Sequence, residues 1–254
     1  MVLAVDIGNS NIVLGCFEDQ TIIFTERMST NRSATSMEYI VLLKAVLELH
    51  GMSGCKFEGG IISSVVPSLT ETVKQAMTRL IEKPVMVVGP GVKTGLKIIT
   101  DNPAQVGSDR VTDAVAAISC YEPPIIIIDM GTATTISVID RNRNFLGGLI
   151  IPGIRISLES LSLETSQLPL ISAEPPRKII GTNTIECMKS GIIYGNASSI
   201  DGIIDRIEVT LGEPCTAVST GGLSETVVPF CRRDITIDRQ LLMKGLMIIY
   251  GKNQ

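Results

Sequence analysis

The sequence predicts an α/β protein of two similar domains facing each other across an interdomain cleft. Three observations carry this expectation. The chain has 254 residues, enough for one large domain or two small ones, each with its own core. Strand-like apolar runs alternate with helix-like stretches, the pattern of α/β domains. One short motif also occurs twice: Leu3-Ala4-Val5-Asp6-Ile7-Gly8-Asn9-Ser10-Asn11 matches Ile126-Ile127-Ile128-Asp129-Met130-Gly131-Thr132-Ala133-Thr134. In each copy an apolar strand delivers an Asp, then any residue, a Gly, small polar residues and a second strand. A repeat of this kind reports architecture. The boundary is placed near residues 121–124, giving domains 1–121 and 122–254.

In chain order, residues 2–5 read as a strand, 8–11 as a turn and 12–17 as a second strand. Residues 37–49 carry apolar positions at helical spacing and stop near Gly51. Residues 60–66 form a strand ending at Pro67, and Ser68 is the expected cap of a helix over 69–81, which Pro84 follows. Residues 85–88 are a further strand, and 111–121 an Ala-rich helix with Asp109 at its entrance. The pattern then restarts. Residues 125–128 are a buried strand ending in Asp129, 131–134 a turn, 135–139 a strand and 146–151 its hairpin partner. Residues 184–207 suit one long helix or two shorter ones, 216–219 a strand, and 239–250 a final helix.

Composition excludes several functions. Hydrophobic residues make up 44% and charged residues 19%, a globular balance. The net charge of −4, with no Lys/Arg cluster, gives no general attraction for nucleic acid or anionic lipid. Mean hydropathy is high at +0.34. The longest apolar runs are nevertheless short: 125–128 stops at Asp129, and 147–154 is broken by Pro152. Both fall well below the ~20 residues that span a bilayer. The N-terminus shows neither a basic region nor a cleavage site, so the expected location is cytoplasmic. None of the six cysteines forms a CxxC pair, which favours reduced core thiols over a zinc site. His50, the single histidine, precedes Gly51 at an apparent helix end, where capping or a surface role explains it.

The repeated turn suits phosphate chemistry. Its Gly lets backbone approach a ligand closely. The following amides and hydroxyls (Asn9, Ser10, Asn11; Thr132, Thr134, Thr135) can donate to phosphate oxygens. A carboxylate repels phosphate, so each Asp is suited to holding a cation that bridges to it. The structural alternative is an Asx-turn, in which the Asp bonds its own backbone. That explains one hairpin, but not the shared residue order of two. The loop 101–110 ends at a helix start. There Asp109 is either an N-cap or the carboxylate that orients an acceptor hydroxyl and takes its proton. Arg110 is either a solvated first-turn residue or a cation near the transferring phosphoryl or an acidic substrate group. The glycines of 147–153 and 219–223 are structural turns, or in the second case a strand end where an adenosine group lies against backbone.

Taken in order, Asp6-Ile7-Gly8-Asn9-Ser10, Gly107-Ser108-Asp109-Arg110, Asp129-Met130-Gly131-Thr132-Ala133-Thr134, the glycines of 148–153, Gly181-Thr182-Asn183-Thr184 and Ser190-Gly191-Ile192-Ile193-Tyr194-Gly195 resemble the type III pantothenate kinases over nearly the whole chain. The resemblance implies two ribonuclease-H-like domains of the actin-like ATPase type. It implies ATP-dependent phosphorylation of pantothenate, the first step toward coenzyme A, with magnesium as cofactor. Carried over by position, Asp6, Ile7, Gly8, Asn9, Ser10, Asn11, Ile12 and Val13 form the first phosphate loop, with Asp6 near magnesium. Gly107, Ser108, Asp109 and Arg110 contact pantothenate, with Asp109 as proton acceptor. Asp129 holds potassium or ammonium, Thr132 touches ATP, and Thr184 touches the substrate. The resemblance further implies a homodimer whose pantothenate pocket is completed across the dimer interface. Two positions depart from the family pattern: Ser10 stands where Thr is frequent, and Thr100 where many members carry a Tyr lining the pantothenate pocket. The rival readings are another actin-like phosphotransferase or phosphatase, acting on sugars, acetate or polyphosphate, and a non-enzymatic regulatory accessory factor. The intact Asp6, Asp109 and Asp129 argue against the latter.

Overall fold

Strand β1 (Val2–Ile7) is apolar on both faces because it lies in the middle of a sheet. A computed structural model describes residues 1–254. After β1 the chain runs antiparallel through β2 (Asn11–Glu18) and β3 (Thr21–Ser29). Helix α1 (Ser36–Leu49) carries it to β4 (Gly59–Ser64), and α2 (Pro67–Ile81) to β5 (Val85–Val87). β4 pairs parallel with β1 and β5 parallel with β4, giving the order β3-β2-β1-β4-β5. Strand alternation divides β1. Leu3, Val5 and Ile7 pack with Leu43 of α1 and with Leu69 and Val73 of α2, while Val2 and Ala4 face the other way.

α1 begins where Thr35 and Glu38 form a reciprocal capping box, which satisfies two otherwise orphaned amides. α2 differs from expectation. It starts one residue before Ser68, with Pro67 in its first turn and Val66 as a cap that makes no side-chain bond. Proline's fixed φ suits that position, so no polar cap is required. His50 is the C-cap of α1; its ring stacks on Phe24 at 4.1 Å and its Nε2 lies 2.9 Å from Glu26 Oε1. It therefore fastens α1 to the exposed edge strand β3, the surface role expected of it.

The second sheet repeats the topology. After the short β6 (Lys97–Ile98) and α3 (Ser108–Cys120) come β7 (Ile125–Met130), β8 (Ala133–Ile139) and β9 (Asn144–Pro152), an antiparallel meander. Helix α4 (Ile154–Glu164) and the 28-residue α5 (Thr184–Leu211) lead to β10 (Thr216–Thr220), which is parallel to β7. The short α6 (Ser224–Val227), β11 (Thr236–Ile237) and α7 (Leu241–Gly251) complete the chain. The order is β11-β10-β7-β8-β9-β6. Without β6, both sheets read third-second-first-fourth-fifth, the ribonuclease-H-like order. In the second sheet Ile126, Ile128 and Met130 pack with Ile154, Leu158, Ile193 and Ala197 of α4 and α5.

The compact units do not follow a single cut near residue 121. One comprises residues 1–96, 102–116 and 241–254, the other residues 97–101 and 117–240. Packing explains the reassignment of the last helix. Met243, Leu246, Ile249 and Tyr250 of α7 cover Val2, Ala4 and Ile61, the second face of the first sheet. Each of these burials contributes on the order of 2 kcal/mol. Residues 97–101 join the second unit because β6 pairs with β9.

Candidate active site

Asp6 and Asp129 are the fifth residues of six-residue strands with the same burial pattern. Asp6 lies on the face of β1 that carries Val2 and Ala4, and it pairs across the sheet with Val13 and Ser63. Asp129 pairs with Thr135 and Thr220. The two turns are not identical. Ile7 pairs with Ile12, five positions on, whereas Met130 pairs with Thr134, four positions on. The first turn is thus one residue longer, and the match of the two copies slips after the glycine. Ile7 and Ile12 point their side chains into the core, so only their backbone is available to a ligand.

The first turn is held from outside. Gly8 N donates to Asn11 O at 2.9 Å. Thr30, just past β3, donates through its amide to Ser10 O at 3.0 Å and through its hydroxyl to Gly8 O at 2.7 Å. Arg32 Nη2 donates to Asn9 Oδ1 at 2.8 Å. The second turn closes with Gly131 N donating to Ala133 O at 3.1 Å. It is walled by glycine backbone: a methyl group on Gly153 would overlap the Thr132 carbonyl oxygen. Gly221 has φ +90°, and a Cβ there would sit 2.5 Å from Asp129 Oδ1. Only glycine combines that backbone conformation with that approach. The strand end at 219–222 therefore touches the second aspartate's carboxylate directly.

The Gly107–Arg110 segment starts α3, and Asp109 is its second helical residue, not its N-cap. A Cβ on Gly107 would lie 2.5 Å from Asp109 Oδ1, so glycine makes room for the carboxylate to fold back. Asp109 Oδ1 accepts from Arg110 N at 2.7 Å. Burial pushes the Asp109 carboxyl above its usual range, and the bond from Arg110 N and the Arg110 charge offset this in part. Burial also lowers Arg110 from its ordinary value, against the pull of Asp109. Ser108 Oγ donates to Ser64 O at 2.9 Å, accepts from Ser64 N at 2.9 Å, and lies 3.2 Å from Ser63 Oγ. With one proton and two lone pairs, this hydroxyl is fully engaged. It clasps the start of α3 to the end of β4, beside the strand that carries Asp6.

The sequence-predicted residues thus divide between the units. Asp6 to Val13 and Gly107 to Arg110 belong to the first unit; Thr100, Asp129, Thr132 and Thr184 belong to the second. Thr132 is exposed in the second turn, and Thr184 is exposed as the first residue of α5, behind the N-cap Asn183. Thr100 Oγ1 is buried with no hydrogen-bond partner, and its methyl faces Gly147. Sequence reasoning missed Ser63, Ser64, Thr30 and Arg32. Ser63 and Ser64 had a signal, since they end the strand that runs parallel to β1 in register with Asp6 and Ile7. Thr30 and Arg32 carry none, because the mostly exposed residues of β3 do not mark it as a strand.

The family model described as type III pantothenate kinase matches residues 2–206 of this chain. A type III pantothenate kinase of Exiguobacterium sp. is 42% identical over 254 residues, covering 100% of both chains. One of Halalkalibacterium halodurans is 40% identical over 253 residues, again covering 100% of both. Among solved structures, component A of the (R)-2-hydroxyglutaryl-CoA dehydratase of Acidaminococcus fermentans matches with a TM-score of 0.59 at 14% identity, covering 98% of this chain and 96% of that one. That likeness concerns the fold, an actin-like one of two ribonuclease-H-like domains.

Proposed function

This chain belongs to the type III pantothenate kinase family, and from that premise we propose that it transfers the γ-phosphoryl group of ATP to the primary hydroxyl of pantothenate. The products are ADP and 4′-phosphopantothenate. The observation that supports this reading best is the half-buried Asp109, raised in pKa and clasped through Ser108 to the strand beside Asp6. A carboxylate lifted toward neutrality is a better proton acceptor than an exposed one.

In this reading Asp109 orients the hydroxyl of pantothenate and accepts its proton as the oxygen–phosphorus bond forms. The bond from the γ-phosphorus to the bridging oxygen breaks, and ADP leaves with the electron pair. Arg110 balances negative charge at the acceptor side. The amides and hydroxyls of the first turn hold phosphate oxygens, and Thr132 contacts ATP. Thr184 contacts pantothenate, and the unpartnered Thr100 hydroxyl offers it a donor. No group of three or more acidic, histidine or cysteine side chains gathers to hold a metal. One carboxylate per turn suits cations that take their other ligands from phosphate, backbone oxygen and water. Asp6 would hold magnesium and Asp129 potassium or ammonium. When bound, these ions neutralise phosphate charge. A homodimer and a cytoplasmic location belong to the same reading; no helix is long and apolar enough to cross a membrane.

The acceptor is tested by measuring ADP release from ATP and magnesium with pantothenate, glucose and acetate in parallel. Release that depends on pantothenate alone is expected; release with a sugar or acetate but not pantothenate would overturn the assignment. Ser108→Ala is expected to lower kcat about 10-fold or more with little change in KM for ATP, since it loosens the placement of Asp109. Unchanged kcat in that variant would remove the clasp from the mechanism.

A further inference from the structure

The first turn carries an aspartate and no cation. Residues 6–13 read Asp-Ile-Gly-Asn-Ser-Asn-Ile-Val. A polyphosphate arriving there brings several negative charges, and the guanidinium of Arg32 is bonded to this turn from outside it. Arg32 is exposed and lies between β3 and α1. The segment around it is fixed by hydrogen bonds. Thr30 bonds Gly8 O and Ser10 O, Ser33 N donates to Asn31 Oδ1 at 3.0 Å, and Thr35 closes the capping box of α1. Arg32 therefore springs from rigid backbone next to the turn. Its one bond goes to a neutral amide oxygen, and no carboxylate pairs with it.

A guanidinium has five donors in a planar fork. Only Nη2 is used here, in an exposed bond to a neutral acceptor, the weaker kind. A phosphate oxygen would make a charge-assisted bond about twice as strong and could take two parallel donors. We propose that Arg32 is a phosphate-binding residue of the first turn, held in place by Asn9 and presenting its free donors to the β- and γ-phosphates of the nucleotide. This deepens the kinase reading by adding a residue from outside the turn to its ATP site, and it rests on that reading.

The test compares the full-length wild type with Arg32→Ala and Arg32→Lys. Binding of ATP and of inorganic tripolyphosphate is measured by calorimetry, alongside KM for ATP and for pantothenate and the Tm of the unliganded protein. Arg32→Ala is expected to weaken both ATP and tripolyphosphate roughly 10- to 100-fold, the worth of a charged hydrogen bond. KM for pantothenate and Tm should stay close to wild type. Arg32→Lys should recover part of the loss, since it keeps the charge but not the fork. ATP binding unchanged in Arg32→Ala would overturn the proposal. So would a loss confined to KM for pantothenate, or a loss that follows a lowered Tm and is not relieved by lysine. Wild-type protein that binds neither ATP nor tripolyphosphate would instead defeat the kinase reading itself, which keeps the two failures distinct.

Discussion

Asp109→Asn is expected to lower turnover about 10²- to 10⁴-fold, the usual worth of a positioned general base, while ATP still binds. Asparagine keeps the shape and can still accept from Arg110 N, but it cannot take the hydroxyl proton. The folded chain should not suffer. Burial raises the Asp109 carboxyl above its ordinary 3.8, so the native state binds this proton more tightly than the unfolded state does. Stability from this group is therefore highest at low pH. It falls as pH rises from the unfolded value through the raised folded value, and above that the buried charge is a standing cost. Asparagine removes that cost, so Tm at neutral pH should hold or rise. The same shift sets the pH profile: the acid limb of kcat should lie above the range of an ordinary carboxylate and vanish from the residual activity of Asp109→Asn. A variant with near-normal turnover removes Asp109 from the role. One with a sharply lowered Tm makes the residue structural.

Gly221→Ala should cost nearly as much, by a different route. Its φ of +90° disfavours any side chain, and the new methyl would meet Asp129 Oδ1 at 2.5 Å and the Met130 backbone at 2.7 Å. Backbone strain of this kind costs about 1–3 kcal/mol. The larger consequence is local, since either Asp129 or the end of β10 must move. A displacement approaching 1 Å at a reacting centre costs about 100-fold in rate. Turnover should therefore drop by about that factor, and whatever activity remains should lose its response to potassium or ammonium. Wild-type turnover with a normal cation response would show that the contact of Gly221 with Asp129 has no part in catalysis.

The repeated turn was readable because its chemistry is local: an Asp at a strand end and a Gly in the turn dictate a shape that any neighbouring structure must accept. The extra residue of the first turn was not readable, since it shows only in the pairing of Ile7 with Ile12 against that of Met130 with Thr134. β3 is not legible in the sequence because it is an edge strand; Thr25, Glu26 and Arg27 are exposed and blur the alternation that marks a half-buried strand. With β3 went Thr30 and Arg32, the residues that fasten the first turn. The final helix was visible as a helix, but its allegiance to the first sheet depends on contacts more than 200 positions away in sequence, such as those of Leu246 and Ile249 with Val2 and Ala4. The sequence marks Asp109 as lying at a helix start, but it is not the cap, because the helix begins earlier, at Ser108. The Ser108 hydroxyl shows a further limit. Sequence marks it as a polar group near the substrate, and only geometry shows it committed to Ser64.

The most direct measurement is phosphorus NMR, with mass spectrometry, of the mixture after incubation of the purified protein with ATP, magnesium, potassium and pantothenate. The expected result is one new phosphomonoester, 4′-phosphopantothenate, formed in equal amount with ADP and absent when pantothenate is omitted. ADP formed together with free inorganic phosphate and no phosphopantothenate, or no consumption of ATP with either potassium or ammonium present, would contradict it.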